Sequence, residues 1–177
     1  MTSISDRTPV VLMTFLLLTT SACSDSAATL TDPEPSPHEA LTGVWSATTY
    51  GSETIPFSDP LAGDCLETVT EVGAEFKLDQ TYHMLMRVRE ECETHGSTAE
   101  LVLMWHGTWV ADEATIEANE TRWAFYENGV RLFEEPSHDS TTWHYQVSGI
   151  ELTLAEVSAY GGPSFVIEFQ RGAVAFP

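Results

Sequence analysis

Three cysteines, six histidines and a single lysine are the first residues to weigh for chemistry in this chain. His38, His83, His95, His106, His138 and His144 include no His-Glu-x-x-His pair, the cysteines form no Cys-x-x-Cys, and no alternating Asp or Asn loop marks a calcium site. His138, Asp139 and His144 come nearest to a ligand set, but scattered surface histidines account for them better, because ligand sets keep a recognisable spacing. Ser148 precedes Gly149 without a Gly-x-Ser-x-Gly elbow around it and reads as a turn residue. No catalytic residue, metal site or cofactor is therefore expected, and no enzyme. The remaining chemistry is that of a pocket. Phe76, Tyr82, Met84, Met86, Trp109, Trp143 and Tyr145 would suit a small hydrophobic ligand if one face held them around an empty space, and would form a filled core if it did not.

The elements that must position them are strands. Tyr82, Met84, Met86 and Val88 alternate with His83, Leu85, Arg87 and Arg89, the pattern of a half-buried strand. Before it, Val72, Ala74, Phe76 and Leu78 alternate in the same way, and a loop of Asp79-Gln80-Thr81 would set Leu78 opposite Tyr82 and Phe76 opposite Met84. A turn at Asp112-Glu113 would set Trp109 against Ile116, and a turn at Ser148-Gly149 would set Tyr145 against Leu152 and Trp143 against Leu154. Further strands are expected at residues 43–50, 121–126, 130–134 and 164–171, and no stretch shows a helical period. The expected fold is all-β, a single up-and-down antiparallel β-barrel of about eight or nine strands over residues 41–177. Closure removes sheet edges and leaves room for packed side chains or one small ligand.

The N-terminus has a different character. A polar stretch with Arg7, an apolar run at residues 10–18 and the sequence Ser21-Ala22-Cys23 have the layout of a signal peptide, and the run is too short to span a bilayer as a helix. Small residues immediately before a cysteine resemble the lipobox of bacterial lipoproteins. The resemblance implies removal of residues 1–22, lipid on Cys23, and a membrane anchor held by more than one acyl chain. It also implies a place in the cell envelope, and Ser24 in the following position points to the outer membrane in a Gram-negative cell. Residues 23–40, with Pro33, Pro35 and Pro37 among small polar residues, read as a disordered tether. With Cys23 lipidated, Cys65 and Cys92 are left to pair, as an oxidising compartment allows, or to remain two buried thiols.

Seven basic residues stand against 27 acidic ones, and loss of residues 1–22 removes one of each sign, so the net charge of -20 persists. Such a surface excludes nucleic acid as a partner and favours solubility, a saline habitat, loose divalent cations or a cationic protein.

Leu41-Thr42-Gly43-Val44-Trp45 resembles the Gly-x-Trp opening of lipocalins and of bacterial lipocalin-like domains. The resemblance extends to Phe76-x-x-Asp79-x-Thr81-Tyr82, to Gly107-Thr108-Trp109 and to the segment at residues 145–154. It implies a barrel floor in which Gly43 permits close approach, Trp45 plugs the end and Arg171 packs on the indole. It further implies a carrier of a small hydrophobic ligand. The competing expectation is an envelope module with a filled barrel and an acidic surface, which binds a cationic protein as an inhibitor or assembly factor would.

Overall fold

A computed structural model describes residues 35–61, 64–94, 96–157 and 165–177. Cys23, the signal segment and most of the expected tether lie outside the described residues. A short helix, α1 (Pro37–Leu41), precedes the strands β1 (Gly43–Tyr50), β2 (Glu53–Thr54), β3 (Phe57–Pro60), β4 (Cys65–Phe76), β5 (Thr81–Cys92) and β6 (Ser97–Ala111). The chain continues through β7 (Thr115–Glu127), β8 (Val130–Pro136), β9 (Ser140–Ser148), β10 (Glu151–Glu156) and β11 (Val166–Arg171). Strands β1, β4, β5, β6, β7, β9, β10 and β11 are neighbours in that order, and β11 returns to β1, closing an antiparallel barrel. The up-and-down order follows the chain, with β2 and β3 inserted between β1 and β4, and β8 laid beside the far half of β7.

The alternation of apolar residues gives the correct faces but not the correct partners. All three expected hairpin registers are displaced by two residues. Phe76, not Leu78, pairs with Tyr82, because the loop is Leu78-Asp79-Gln80, closed by the Lys77 N–H on the Thr81 carbonyl, and the Asp79 carboxylate accepts the Thr81 N–H at 3.0 Å and hydroxyl at 2.6 Å. The Lys77 carbonyl accepts the Gln80 N–H, Gln80 takes a φ of 64°, and Leu78 is left 70% exposed. At the second hairpin Asp112 is not a central turn residue. Its carboxylate accepts the N–H groups of Ala114 and Thr115, so the turn is Glu113-Ala114, and Trp109 faces Ala118. At the third, Gly149 has a φ of 62° and leads the turn, as glycine does in the II′ type, so Gly149-Ile150 replaces Ser148-Gly149. Tyr145 then pairs with Leu154, and Trp143 with Glu156. A displacement of two keeps every side chain on its face, which is why the barrel survives the error.

Two further expectations are corrected. Residues 37–40 are not tether but helix. Ser36 accepts the Glu39 N–H, the Glu39 carboxylate accepts the Ser36 N–H, and Pro37 occupies the first turn, a reciprocal cap that starts α1. Leu85, expected on the solvent side, is fully buried. With Val102 and Met104 it forms a second apolar cluster on the outside of the barrel, against which Tyr126, Val174 and Phe176 pack. The chain beyond β11 therefore lies across the outer face. Arg87 fastens it, donating to the Ala175 carbonyl at 3.0 Å while it pairs with Glu71 and Glu100.

Cys65 and Cys92 are direct partners on β4 and β5 and form a disulfide, with a sequence separation of 27. In the chain-entropy account a loop of that size stabilises the fold by about 3 kcal/mol.

Beneath Phe176, His83 and His106 meet edge to face with ring centroids 4.5 Å apart. Burial, then the neighbouring His83 and Arg122, lowers the His106 pKa from its ordinary 6.5 to about 4. The unfolded chain thus binds a proton at His106 over a pH range in which the folded chain does not. Stability falls as pH drops from about 6.5 towards 4. Urea midpoints at pH 7 and pH 4.5 should differ less in His106→Gln than in the parent protein; an equal difference in both would contradict this origin.

Candidate functional site

The barrel has one packed end and one hollow end. At the packed end the carbonyls that terminate α1 have no helical partner, and two side chains from the barrel supply donors. Trp45 Nε1 donates to the Leu41 carbonyl at 2.7 Å, and Arg171 donates to Ala40 and Thr42 at 2.8 and 2.9 Å. The Arg171 guanidinium carbon lies 4.4 Å from the Trp45 ring centroid. Gly43 has a φ of 136°, and a Cβ there would come within 2.6 Å of Arg171 Nη1, so only glycine lets the guanidinium pass. Leu41, Trp45, Phe76, Trp109, Ile116, Leu152 and Phe169 fill the space above. His38 stacks on Trp109 at 4.6 Å, and Trp109 Nε1 donates to the Thr81 carbonyl.

Farther from this floor Met84, Met86, Trp105 and Trp143 are only partly buried, and with Tyr82, Val72 and Ile167 they line an open cavity of about 170 Å³. Of the residues expected to bind a ligand, Tyr82, Met84, Met86 and Trp143 line it. Phe76 and Trp109 belong to the packed floor instead. Tyr145 is turned to the floor end, where its hydroxyl donates to the Asp112 carbonyl at 2.7 Å. The sequence reading missed Tyr50, Trp105, Glu120, Thr141, Phe165 and Ile167 as lining residues. Trp105 was legible, since Leu103, Trp105 and Trp109 share one parity on β6. Glu120 shares the parity of Ile116 and Ala118, but nothing in its residue type announces an inward position.

Gly107 pairs with Tyr82 on one side and Glu120 on the other. A Cβ at Gly107 would lie 2.6 Å from the Tyr82 ring, so the phenol leans over the glycine toward β7. Burial, reinforced by the Glu120 charge, pushes the Tyr82 pKa well above the usual phenol value. Tyr50 is raised in the same way by burial and then by Glu156. Both phenols therefore stay neutral, and they act as hydrogen-bonding and aromatic surface rather than as bases. Among the described residues Glu120 forms no ion pair.

A wider concavity of about 750 Å³ lies outside the floor, beside α1 and the β9–β10 turn. Its walls include Pro35, Pro37, Glu39 and Glu113 and none of the fully buried side chains, so it lacks the apolar enclosure that holds a small molecule. Among the described residues, Cys65, Glu90 and Cys92 are the one group with metal-ligand proximity, and both sulfurs are spent in the disulfide.

No family model matches this chain. No curated protein matches it either.

The floor gives a direct test of what Arg171 contributes. Arg171→Ala removes two charged donors and the contact with the indole, and should lower stability by about 1–3 kcal/mol in urea unfolding. Arg171→Lys should recover only part of this, since an ammonium lacks the planar fork that reaches both carbonyls.

Proposed function

We propose that this protein is a lipid-anchored envelope protein whose lipocalin-like barrel binds a small apolar ligand. The observation that carries the reading is the cavity of about 170 Å³ lined by Tyr82, Met84, Met86 and Trp143. An apolar cavity of roughly 150 Å³ is large enough to hold one benzene molecule, so this space suits a ring or a short branched chain and not a long acyl tail. The likeness to lipocalins is supported by the floor, where the Arg171 guanidinium covers Trp45 next to Gly43. Anchoring rests on the apolar run and on Ser21-Ala22-Cys23.

A second reading has its own observation. Along β8, Val130, Leu132 and Phe133 are 63%, 52% and 39% exposed on a strand that, among the described residues, pairs with β7 alone. An edge of this kind can accept a strand from a partner protein, and the net charge of -20 would favour a cationic one.

Binding of toluene, followed by isothermal titration calorimetry on the full chain in detergent, separates the two. The ligand reading expects saturable binding that Met86→Trp weakens at least tenfold, with stability changed by less than about 1 kcal/mol because the new ring enters empty space. An overpacking loss of about 1–3 kcal/mol with no toluene binding in the parent would instead mean a filled barrel. The anchor is tested separately. Cys23→Ser should move the protein from the membrane fraction to the soluble envelope fraction and abolish labelling by a radioactive fatty acid; retention with unchanged labelling would refute lipidation at this residue.

A further inference from the structure

The cavity has an electrostatic character that its size and apolar area do not convey. Its walls carry five aromatic rings, Tyr50, Tyr82, Trp105, Trp143 and Phe165, and one carboxylate, Glu120. A second carboxylate, Glu156, pairs with Trp143 across β9 and β10 and acts on Tyr50. No arginine or lysine lines the space. The nearest cation along β7, Arg122, belongs to the opposite face and is engaged with Glu134.

We propose that the natural occupant is a small organic cation, an alkylated ammonium about the size of toluene, held by the aromatic faces with Glu120 as its counter-ion. The proposal rests on the ligand-binding reading above and narrows it to a chemical class. Aromatic faces are negative at their centres and attract ammonium groups, most strongly where water is displaced. A quaternary ammonium also presents methyl surface to Met84 and Met86, so the same walls serve its charge and its apolar exterior. The opposite class is disfavoured by the same residues. A carboxylate or phosphate ligand would enter beside Glu120 and Glu156 with no base to neutralise it, in a protein whose net charge is -20. A neutral apolar ligand would fill the space but would leave Glu120 partly stripped of water and without a partner.

The strands place Glu120 for this role. It faces Tyr82 across Gly107, and the bulge between His106 and Gly107 turns β7 immediately beyond it, so that Trp123, not Arg122, takes the inward position opposite Trp105. Without that irregularity the next inward residue of β7 would be Arg122, an internal partner for Glu120. The bulge removes it and leaves the carboxylate to a ligand.

The test uses choline and its neutral carbon isostere 3,3-dimethyl-1-butanol, titrated calorimetrically into the full chain in detergent at moderate salt. Choline should bind saturably and at least tenfold more tightly than the isostere. Glu120→Gln should abolish most of that preference by weakening choline, while the isostere, no longer set against an unpaired charge, binds at least as well as to the parent protein, with the variant's thermal unfolding monitored to confirm the fold. Trp143→Leu should weaken choline more than the isostere, because both lose contact area but only the cation also loses the attraction of the ring face. If toluene and the isostere bind but choline binds no better than the isostere, the cation proposal fails and the ligand reading stands. If none of the three binds, both fail. A choline preference that is unchanged in Glu120→Gln would remove Glu120 from its assigned role and overturn the proposal as stated.

Discussion

Arg171 joins three parts of the molecule that are distant in sequence: the end of the last strand, the first strand through Trp45, and the plug helix through the carbonyls of Ala40 and Thr42. Trp45 is itself paired on both sides, with Arg171 on β11 and Ala74 on β4, so the closure of the barrel passes through one residue pair on either flank. In a closed barrel the inward set of each strand is fixed by its neighbours, and a slip of one residue anywhere would turn an entire strand inside out. Fixing Trp45 therefore constrains the parity of every strand around the ring. The irregularities of β1, β4 and β7 lie away from this point, where the sheet must bend without disturbing the floor.

How much of this can be read from residues alone depends on which physical rule each position obeys. Face assignment obeys alternation, and Phe76, Tyr82, Met84, Met86, Trp109, Trp143 and Tyr145 all pack into or against the inner cluster. Pairing obeys turn chemistry, which is more local. Asp112 looks like a residue of a turn's centre but stands before it, and Asp79 looks like the first residue of its loop but stands in the middle; each accepts N–H groups that follow it, and the partners shift by two. The helix start was written in Ser36-Pro37-His38-Glu39, a capping sequence easily lost in a run of prolines and small polar residues. Leu85 is a different case. Alternation marks it as outward, and only the return of the distant Val174 and Phe176 makes that side a second interior.

The cavity has its origin in the same distribution of side chains. The floor receives two tryptophans, two phenylalanines and several branched aliphatics, all essentially excluded from water. The strands β4, β5, β6 and β7 are 12, 12, 15 and 13 residues long and so extend well beyond it, whereas β9, β10 and β11 have only 9, 6 and 6. Long strands on one side of a barrel and short ones on the other cannot be filled evenly from facing positions. The inward residues of the long side, Met84, Met86 and Trp105 among them, therefore remain partly uncovered and line a space that is not packed shut.

Glu120 shows why that incompleteness is tolerable. Deep in the floor a carboxylate would need a buried partner or would lose its charge, because stripping an ion of water is far more expensive than any single contact can offset. At the hollow end Glu120 is only partly buried, which leaves it open to water, so folding incurs little penalty from its presence. The penalty is deferred to whatever displaces that water. A molecule entering the cavity must either leave the carboxylate hydrated, and so fill the space poorly, or replace the water with something that satisfies a negative charge. If the cavity takes a ligand, one inward acid in its wall would weigh little on stability and much on selection, since a site left with an unpaired buried group rejects the wrong ligand more strongly than shape alone would.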